Sequence, residues 1–257
     1  MVTNSIFYRL FNFNKQTMKR NLFQITGVFV VFCVLLSSCW FLGPSVKGNG
    51  NVTEEVRQLS VFDQIEVSRG MNAYITQGSP AKVVVIADEN LHDVIETKVE
   101  NGVLKIRVNE NVGWAKEKKV MVTVEKLSAV ETTSGSNAWS QNQILSENLE
   151  LKANAGSNLT MEVNAKFLRA ECSSGANIKL SGLAKEAEME TTSGASLKGQ
   201  DLKADQCKMR ASSGGNLSST VVEKLDAQAS SGGNIVYYGE PSSTEINSSS
   251  GGNISRK

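Results

Sequence analysis

Acid–base, nucleophilic or metal chemistry needs particular side chains gathered at particular spacings, and this chain offers few of them. His92 is the only histidine, so a histidine-based triad has one candidate base and a multi-histidine metal site has no second member. His92 reads as a surface residue ahead of a strand. Asp63, Asp88, Asp93, Asp201, Asp205 and Asp226 are scattered. Asp201 and Asp205 with Lys203 come nearest to a cluster of acids beside a base, and they read as a polar turn. The glycine motifs lack a following Gly-Lys-Ser/Thr and a helix, so they are not phosphate loops. Lys116, Lys118 and Lys119 form a small basic cluster that reads as solvated. No catalytic, metal or cofactor site emerges. What remains are residues suited to contact: Trp114 in a glycine-containing loop, Trp139, and the adjacent Tyr237 and Tyr238, at least one of which should be exposed. Exposed aromatics on a flat sheet can stack on sugars or bury in a partner.

One further residue has a chemistry of its own. Residues 1–20 carry Arg9, Lys15, Lys19 and Arg20 and no acid, and an apolar run from Ile25 to Leu36 ends in Leu36-Ser37-Ser38-Cys39. A basic start, a short apolar core and small residues at a cleavage point describe an export signal. The run falls short of the roughly 20 residues that a bilayer-spanning helix needs. Leu-Ser-Ser-Cys resembles a bacterial lipobox, which implies that Cys39 becomes the first mature residue and carries lipid, with several acyl chains holding far better than one. Met18-Lys19-Arg20 begins a more compact signal and points to Met18 as the real start. No acid directly follows Cys39, so no inner-membrane retention signal is evident. The expected organisation is a lipoprotein signal at 1–39, a flexible tether at 40–58 rich in glycine and asparagine, and one domain at 59–257.

The elements that must position the aromatics are announced by a repeat. Ser-Gly-Ser-Asn at 134–137 returns as Ala-Gly-Ser-Asn, Ser-Gly-Ala-Asn and Ser-Gly-Ala-Ser, then three times as Ser-Gly-Gly-Asn, ending at 250–253. The first glycines, Gly135, Gly156, Gly175, Gly194, Gly214, Gly232 and Gly251, are 21, 19, 19, 20, 18 and 19 residues apart. A near-constant period of this size marks a solenoid, in which each coil buries its apolar face against its neighbours.

Counting from each glycine gives the cross-section. Three residues after it stand Ala138, Leu159, Ile178, Leu197, Leu217, Ile235 and Ile254. Five before it stand Val130, Leu151, Ala170, Met189, Met209, Ala227 and Ile246. Polar columns lie between: six before the glycine, Glu150, Arg169, Glu188, Lys208, Asp226 and Glu245. Strict alternation is a half-buried strand, and identical placement in every repeat stacks the strands in register, as in a parallel β-helix. The alternating signs of the polar column place opposite charges on neighbouring rungs. Trp139, four after Gly135, falls in an outward column with Lys179, Lys198 and Val236. The recurring asparagines should stack amide on amide, with Ser196 the single break; the reading favours side chains turned inward. Cys172 and Cys207 lie two coils and four strand positions apart, about 9.6 Å by about 13 Å, too far for the roughly 7 Å that a disulfide spans. Both are expected as free inward thiols.

Between 59 and 125 short strands follow one another: Val61–Val67, Ala73–Thr76, Val83–Ala87 as a continuous apolar run suited to cover on both faces, and Val94–Val99 joined by Asn101-Gly102 to Val103–Val108, the strongest hairpin signal in the chain. Val120–Val124 is another. Gly70-Met71-Asn72-Ala73 mimics the later motif 65 residues before Gly135, a gap sized for about three degenerate coils. The 40% apolar content and net charge of +1 suggest neither disorder nor a field for nucleic acid. The expected fold is all-β, a solenoid of roughly 19-residue coils with a less regular β-rich N-terminal part.

The chain resembles the bacterial auto-transporter adhesin family with the head GIN domain, found in envelope lipoproteins. The resemblance rests on Gly-Gly-Asn-Ile at 232–235 and 251–254, Gly-Ala-Asn-Ile at 175–178, Phe62-Asp63-Gln64-Ile65, Ile75-Thr76-Gln77-Gly78 and Asn101-Gly102-Val103-Leu104-Lys105-Ile106. It covers about 59–257. It implies a right-handed parallel β-helix in the cell envelope and supplies no catalytic residues. The expected role is a non-enzymatic adhesion, binding or scaffold module, anchored to the membrane, outer-membrane by preference, through lipid on Cys39. An envelope glycan or protein is the expected ligand, and Trp139, Trp114, Tyr237 and Tyr238 are the candidate contacts. The alternatives are a carbohydrate-active β-helix enzyme and a protein that self-assembles end to end, since an open rung can template pairing with a second copy.

Overall fold

The computed structural model describes residues 44–257; the expected signal, Cys39 and the first part of the tether lie outside the described residues. Val46–Lys257 form one compact unit made of strands and a single 3-10 turn at Glu89–Leu91. The strands are β1 (Val52–Arg57), β2 (Gln64–Val67), β3 (Asn72–Gln77), β4 (Lys82–Asp88), β5 (Ile95–Glu100), β6 (Val103–Val108), β7 (Lys118–Val124), β8 (Ala129–Thr132), β9 (Asn137–Ser140), β10 (Ile144–Ala153), β11 (Asn158–Cys172), β12 (Asn177–Thr191), β13 (Ser196–Ala211), β14 (Asn216–Ala229), β15 (Asn234–Tyr238), β16 (Ser243–Ser248) and β17 (Asn253–Arg256).

From β8 onward the chain is a parallel β-helix in the register the repeat predicts. Ala138, Leu159, Ile178, Leu197, Leu217, Ile235 and Ile254 are successive cross-strand partners. All but the last, which is half-buried, are closed to solvent. Val130, Leu151, Ala170, Met189, Met209, Ala227 and Ile246 form a second file, buried until the final rung leaves Ile246 exposed. Two sheets therefore face each other: a first sheet of residues that precede each motif, and a second of residues that follow it. Each buried Leu or Ile contributes roughly 1.5–3 kcal/mol, and the files run the length of the coils, so the core is continuous. The long strands β11 to β14 serve both sheets. Their alternation breaks where two successive residues face out, at Lys166-Phe167, Lys185-Glu186 and Asp205-Gln206, and there each coil bends.

The other bend is the motif. In the first, Ser136 N–H donates to Thr133 O at 3.2 Å, with Ser134 at φ 53° and Gly135 at φ 69°. Two consecutive positive φ values closed by such a bond define a type I′ turn. All seven motifs repeat it, so the residue before each glycine is left-handed as well, a demand that falls on serine six times and on Ala155 once. The corners are also linked: Gly135 N–H donates to Ala155 O of the next corner and Gly156 N–H to Ser174 O, both at 3.1 Å.

The third residue of the motif, not the asparagine, points inward. Ser136, Ser157, Ala176 and Ala195 are fully buried, followed by the buried Gly215 and Gly233 and, at the last corner, the half-buried Gly252. The expected inward asparagine ladder is thus corrected. Asn158, Asn177, Asn216 and Asn253 are exposed, with Asn137 and Asn234 half-exposed. A corner of two left-handed residues brings the third around to face the core, and period-two alternation then sends the fourth outward. The ladder itself is present: Nδ2 of Asn137 donates to Oδ1 of Asn72 at 2.9 Å, Asn158 to Asn137 at 2.8 Å, Asn177 to Asn158 at 3.1 Å and Asn253 to Asn234 at 2.8 Å. Past the break at Ser196, Asn216 turns to its own Gly214 carbonyl at 3.3 Å.

The N-terminal part departs from the expectation of three degenerate coils. β2 and β3 form one rung directly beside β8 and β9, with Asn72 opposite Asn137 and Ala73 opposite Ala138. The intervening residues build a cap on the far side of that rung. β6 and β7 lie parallel to β2 and β3, and the antiparallel strands β5, β4 and β1 close over them. The Asn101-Gly102 hairpin forms as read. β4 is not covered on both faces; it alternates, with Val83, Val85 and Ala87 buried and Val84 and Ile86 half-exposed. The tether expectation fails beyond Ser45. Val46 bridges to Val112, and β1 pairs with β4.

Asp88 secures this segment. It is fully buried; its Oδ2 accepts from Gly50 N–H at 2.9 Å and Lys116 N–H at 3.2 Å, and its Oδ1 from Glu117 N–H at 3.0 Å. Burial pushes its carboxyl up, but the three backbone donors, Gly50 foremost, with help from Lys116, outweigh that and hold it below the ordinary 3.8. His92 is also less exposed than expected: its Nε2 lies 2.9 Å from Thr53 Oγ1 and its Nδ1 3.3 Å from Glu55. Asp201, Lys203 and Asp205 lie on strand β13 and not in a turn, separated by the buried Leu202 and Ala204. Cys172 and Cys207 are free and buried. Burial raises their thiols to about 11 and about 12, eased slightly at Cys172 by its hydrogen bond to the Ser196 carbonyl.

Candidate binding surface

Two flat outer faces are available. On the first sheet the alternating column forms an interlocked charge ladder: Arg169 lies 4.0 Å from Glu150 and 3.5 Å from Glu188, and Lys208 lies 3.8 Å from Glu188. Lys152 and Glu171 of the neighbouring column join it, at 2.7 Å from Glu150 and 2.6 Å from Arg169. A shallow groove of about 590 Å³ crosses these rungs beside Phe167. Arg169 and Lys208 already pair with Glu150 and Glu188, while Glu186, Lys224 and Asp226 of the same groove form no ion pair among the described residues. Exposed pairs contribute only about 0–1 kcal/mol each, so the ladder serves mainly to fix register.

The second sheet differs. Its central outward column runs across adjacent strands from the cap into the coils: Val56, Val84, Met121, Tyr74, Trp139, Thr160, Lys179, Lys198, Ser218 and Val236. Tyr74 and Trp139 are stacked, ring centroids 4.9 Å apart and planes 21° from parallel. That separation equals one ladder spacing, so the rings stand like leaves along the ladder, and the free face of Trp139 looks toward the small Thr160. Beside this column runs the asparagine ladder.

The other expected contacts fall elsewhere. Trp114 is 53% exposed, in the cap loop, with Lys47 Nζ 6.0 Å from its ring centre. Tyr237 points into the core and Tyr238 is half-exposed, five rungs along from Trp139. The structure thus gathers Trp139 with neither Trp114 nor the tyrosine pair. It gathers Trp139 with Tyr74, which the sequence reading passed over although Tyr74 stands four residues after Gly70, in the place Trp139 holds after Gly135. Phe167, 42% exposed beside Lys166, was also missed. It lies at the second bend, where no repeated residue type marks direction. Of the basic cluster, Lys119 pairs with Glu117 at 2.9 Å and Lys118 is partly desolvated, which lowers its pKa. Among the described residues no group of three or more His, Cys, Asp or Glu is placed to hold a metal ion, and no helix is long and apolar enough to cross a membrane.

These features define a parallel β-solenoid, capped at one end, that offers an aromatic-bearing flat sheet to solvent. The family model described as "Putative auto-transporter adhesin, head GIN domain" matches residues 61–241, and the chain belongs to that family. No curated protein matches it in sequence. Among solved structures it is similar to a "putative adhesin" of Bacteroides fragilis, at 17% identity and a TM-score of 0.77, over 83% of this chain and 100% of that one. A "putative lipid binding protein" of Parabacteroides distasonis aligns at 20% identity and a TM-score of 0.67 over 83% and 100%. A "putative adhesin" of Parabacteroides merdae aligns at 18% and 0.65 over 84% and 100%. At these identities the likeness is one of fold.

Proposed function

We propose that this protein is a non-enzymatic adhesion or binding module of the bacterial cell envelope, held to the outer membrane by lipid on Cys39. The observation that carries the reading is the Tyr74–Trp139 stack standing on the outer face of a rigid, in-register sheet in a member of an adhesin family. Such a surface is held by hydrogen-bonded neighbouring strands. Its ligand contacts are ordered before binding, which lowers the entropy lost on association. The apolar run ending in Leu36-Ser37-Ser38-Cys39 supplies the export and anchoring half of the argument. An envelope glycan or protein is the ligand class.

The test is a pair of measurements on expressing cells. Metabolic labelling with an alkyne fatty acid should mark the wild-type chain and not Cys39→Ala, and a glycan and protein binding screen should return a ligand that is bound without turnover. Unlabelled wild-type protein would remove the lipid anchor from the reading. Release of oligosaccharides from a glycan substrate would replace the binding module with an enzyme.

A further inference from the structure

The column that carries Trp139 does not end as an apolar stripe. Beyond it come Thr160, then Lys179 and Lys198 on consecutive rungs. Both lysines are exposed, and among the described residues neither forms an ion pair. This contrasts with the first sheet, where Lys152, Arg169 and Lys208 are all engaged. The acid on Thr160's own strand and face, Glu162, accepts a hydrogen bond from Gln143 Nε2 at 3.3 Å.

The geometry makes a slot. Trp139 and Lys179 are two rungs apart, about 9.6 Å, and the residue between them, Thr160, is small. One wall is the free face of the indole, since its other face is taken by Tyr74. The other wall, two rungs along the same column, is the Lys179 side chain. A ring seated about 3.5–4 Å from the indole fills the width. Along one flank run the amides of Asn158 and Asn177, whose ladder uses one donor hydrogen of each Nδ2 and leaves the other. Lys198 repeats the positive charge one rung further on.

We propose that this slot binds an acidic polysaccharide, with one uronate ring stacked on Trp139, its carboxylate and the next met by Lys179 and Lys198, and its hydroxyls by the asparagine ladder. The chemistry follows from the parts. A pyranose presents C–H bonds to an aromatic face. A carboxylate complements an unpaired ammonium. A flat ladder repeating every rung suits a chain of repeating sugars. The inference rests on the reading of the chain as a binding module and names its ligand class.

Titration calorimetry of the full chain in detergent with oligogalacturonate and with a neutral glucan of equal length tests it. Binding of the uronate alone, weakening as salt rises, is expected. Lys179→Gln and Lys198→Gln, at exposed positions that leave the fold intact by circular dichroism, should each weaken binding by about threefold to fivefold. Trp139→Ala should abolish it. Phe167→Ala on the other face should bind as wild type. Equal affinity for the neutral glucan, or unchanged binding by the folded lysine variants, overturns the proposal. Binding of a neutral glycan or an envelope protein without any uronate binding overturns it too, while leaving the binding-module reading in place. No ligand of any class in that screen removes both.

Discussion

The carbonyl of Ala211 occupies the space that a Cβ on Gly233 would take. The two residues belong to neighbouring coils, and the contact is the third position of the motif pressing on the strand before it. Gly252 stands the same way against Ala229, and Gly215 against Thr191 at 2.8 Å. The corner bonds of these three turns are 2.8–2.9 Å, against 3.1–3.2 Å in the four turns that carry serine or alanine there. Gly233→Ala is therefore expected to cost about 1–3 kcal/mol through overpacking against backbone. Ala195→Gly, where the methyl is accommodated, should cost at most about 1 kcal/mol. Urea midpoints followed by circular dichroism would rank the two.

Asp88 predicts a response to acid. Its folded pKa lies below the ordinary value because backbone donors stabilise the charged form against the opposing effect of burial. A depressed carboxylate stabilises the fold above the unfolded pKa near 4, and the contribution is lost as pH falls through the lower folded value. Asp88→Ala should destabilise by roughly 3 kcal/mol at neutral pH, leaving the Gly50, Lys116 and Glu117 amides without an acceptor. The gap between wild type and Asp88→Asn should narrow as pH falls below about 4. A gap that stayed constant down to pH 2 would contradict the assignment.

The asparagine ladder offers a gain-of-stability experiment. Ser196 interrupts it between Asn177 and Asn216. Ser196→Asn should extend the ladder that ends at Asn177 by one rung and raise stability by about 0.5–1 kcal/mol, seen as a higher Tm. The gain should vanish when Asn177 is also replaced by alanine, the signature of coupling between neighbours.

The thiols predict a response to base. Both pKa values are raised in the folded chain, to about 11 at Cys172 and about 12 at Cys207, so the stability they confer is complete below the unfolded value near 8.5 and lost as pH rises toward the folded ones. At pH 8 neither should react with a thiol reagent until urea is added, and non-reducing mass spectrometry should find no bond between them. Fast labelling in the folded state would show that the register places them at the surface.

The regular coils were legible because one physical requirement, a turn into an in-register strand, repeats in the residue types that satisfy it. Leu159, Ile178, Leu197, Leu217 and Ile235 form a single internal file for that reason. The direction of the asparagines was not legible. Their spacing is the same whether they face in or out, and the answer depends on Ser134 and its counterparts adopting positive φ, which serine rarely announces. The place of β2 and β3 was hidden for another reason: a 65-residue separation says nothing about adjacency when the chain folds back. The binding face was half-legible. Trp139 was assigned outward from its column, and Tyr74 was obtainable by the same count from Gly70, had that glycine been treated as a full corner of the ladder and not as an imitation of one.

The order of the rungs has a consequence for how the molecule is made. β2 and β3 emerge early, yet they sit between β6–β7 on one side and β8–β9 on the other. A chain delivered from its N-terminus therefore cannot pile up turn by turn from the first strand. It must hold an incomplete seed until residue 140 has arrived, and only then does each new length of about 19 residues find a finished edge waiting. Damage to the cap should therefore abolish the whole structure, while loss of the last coil should merely shorten it.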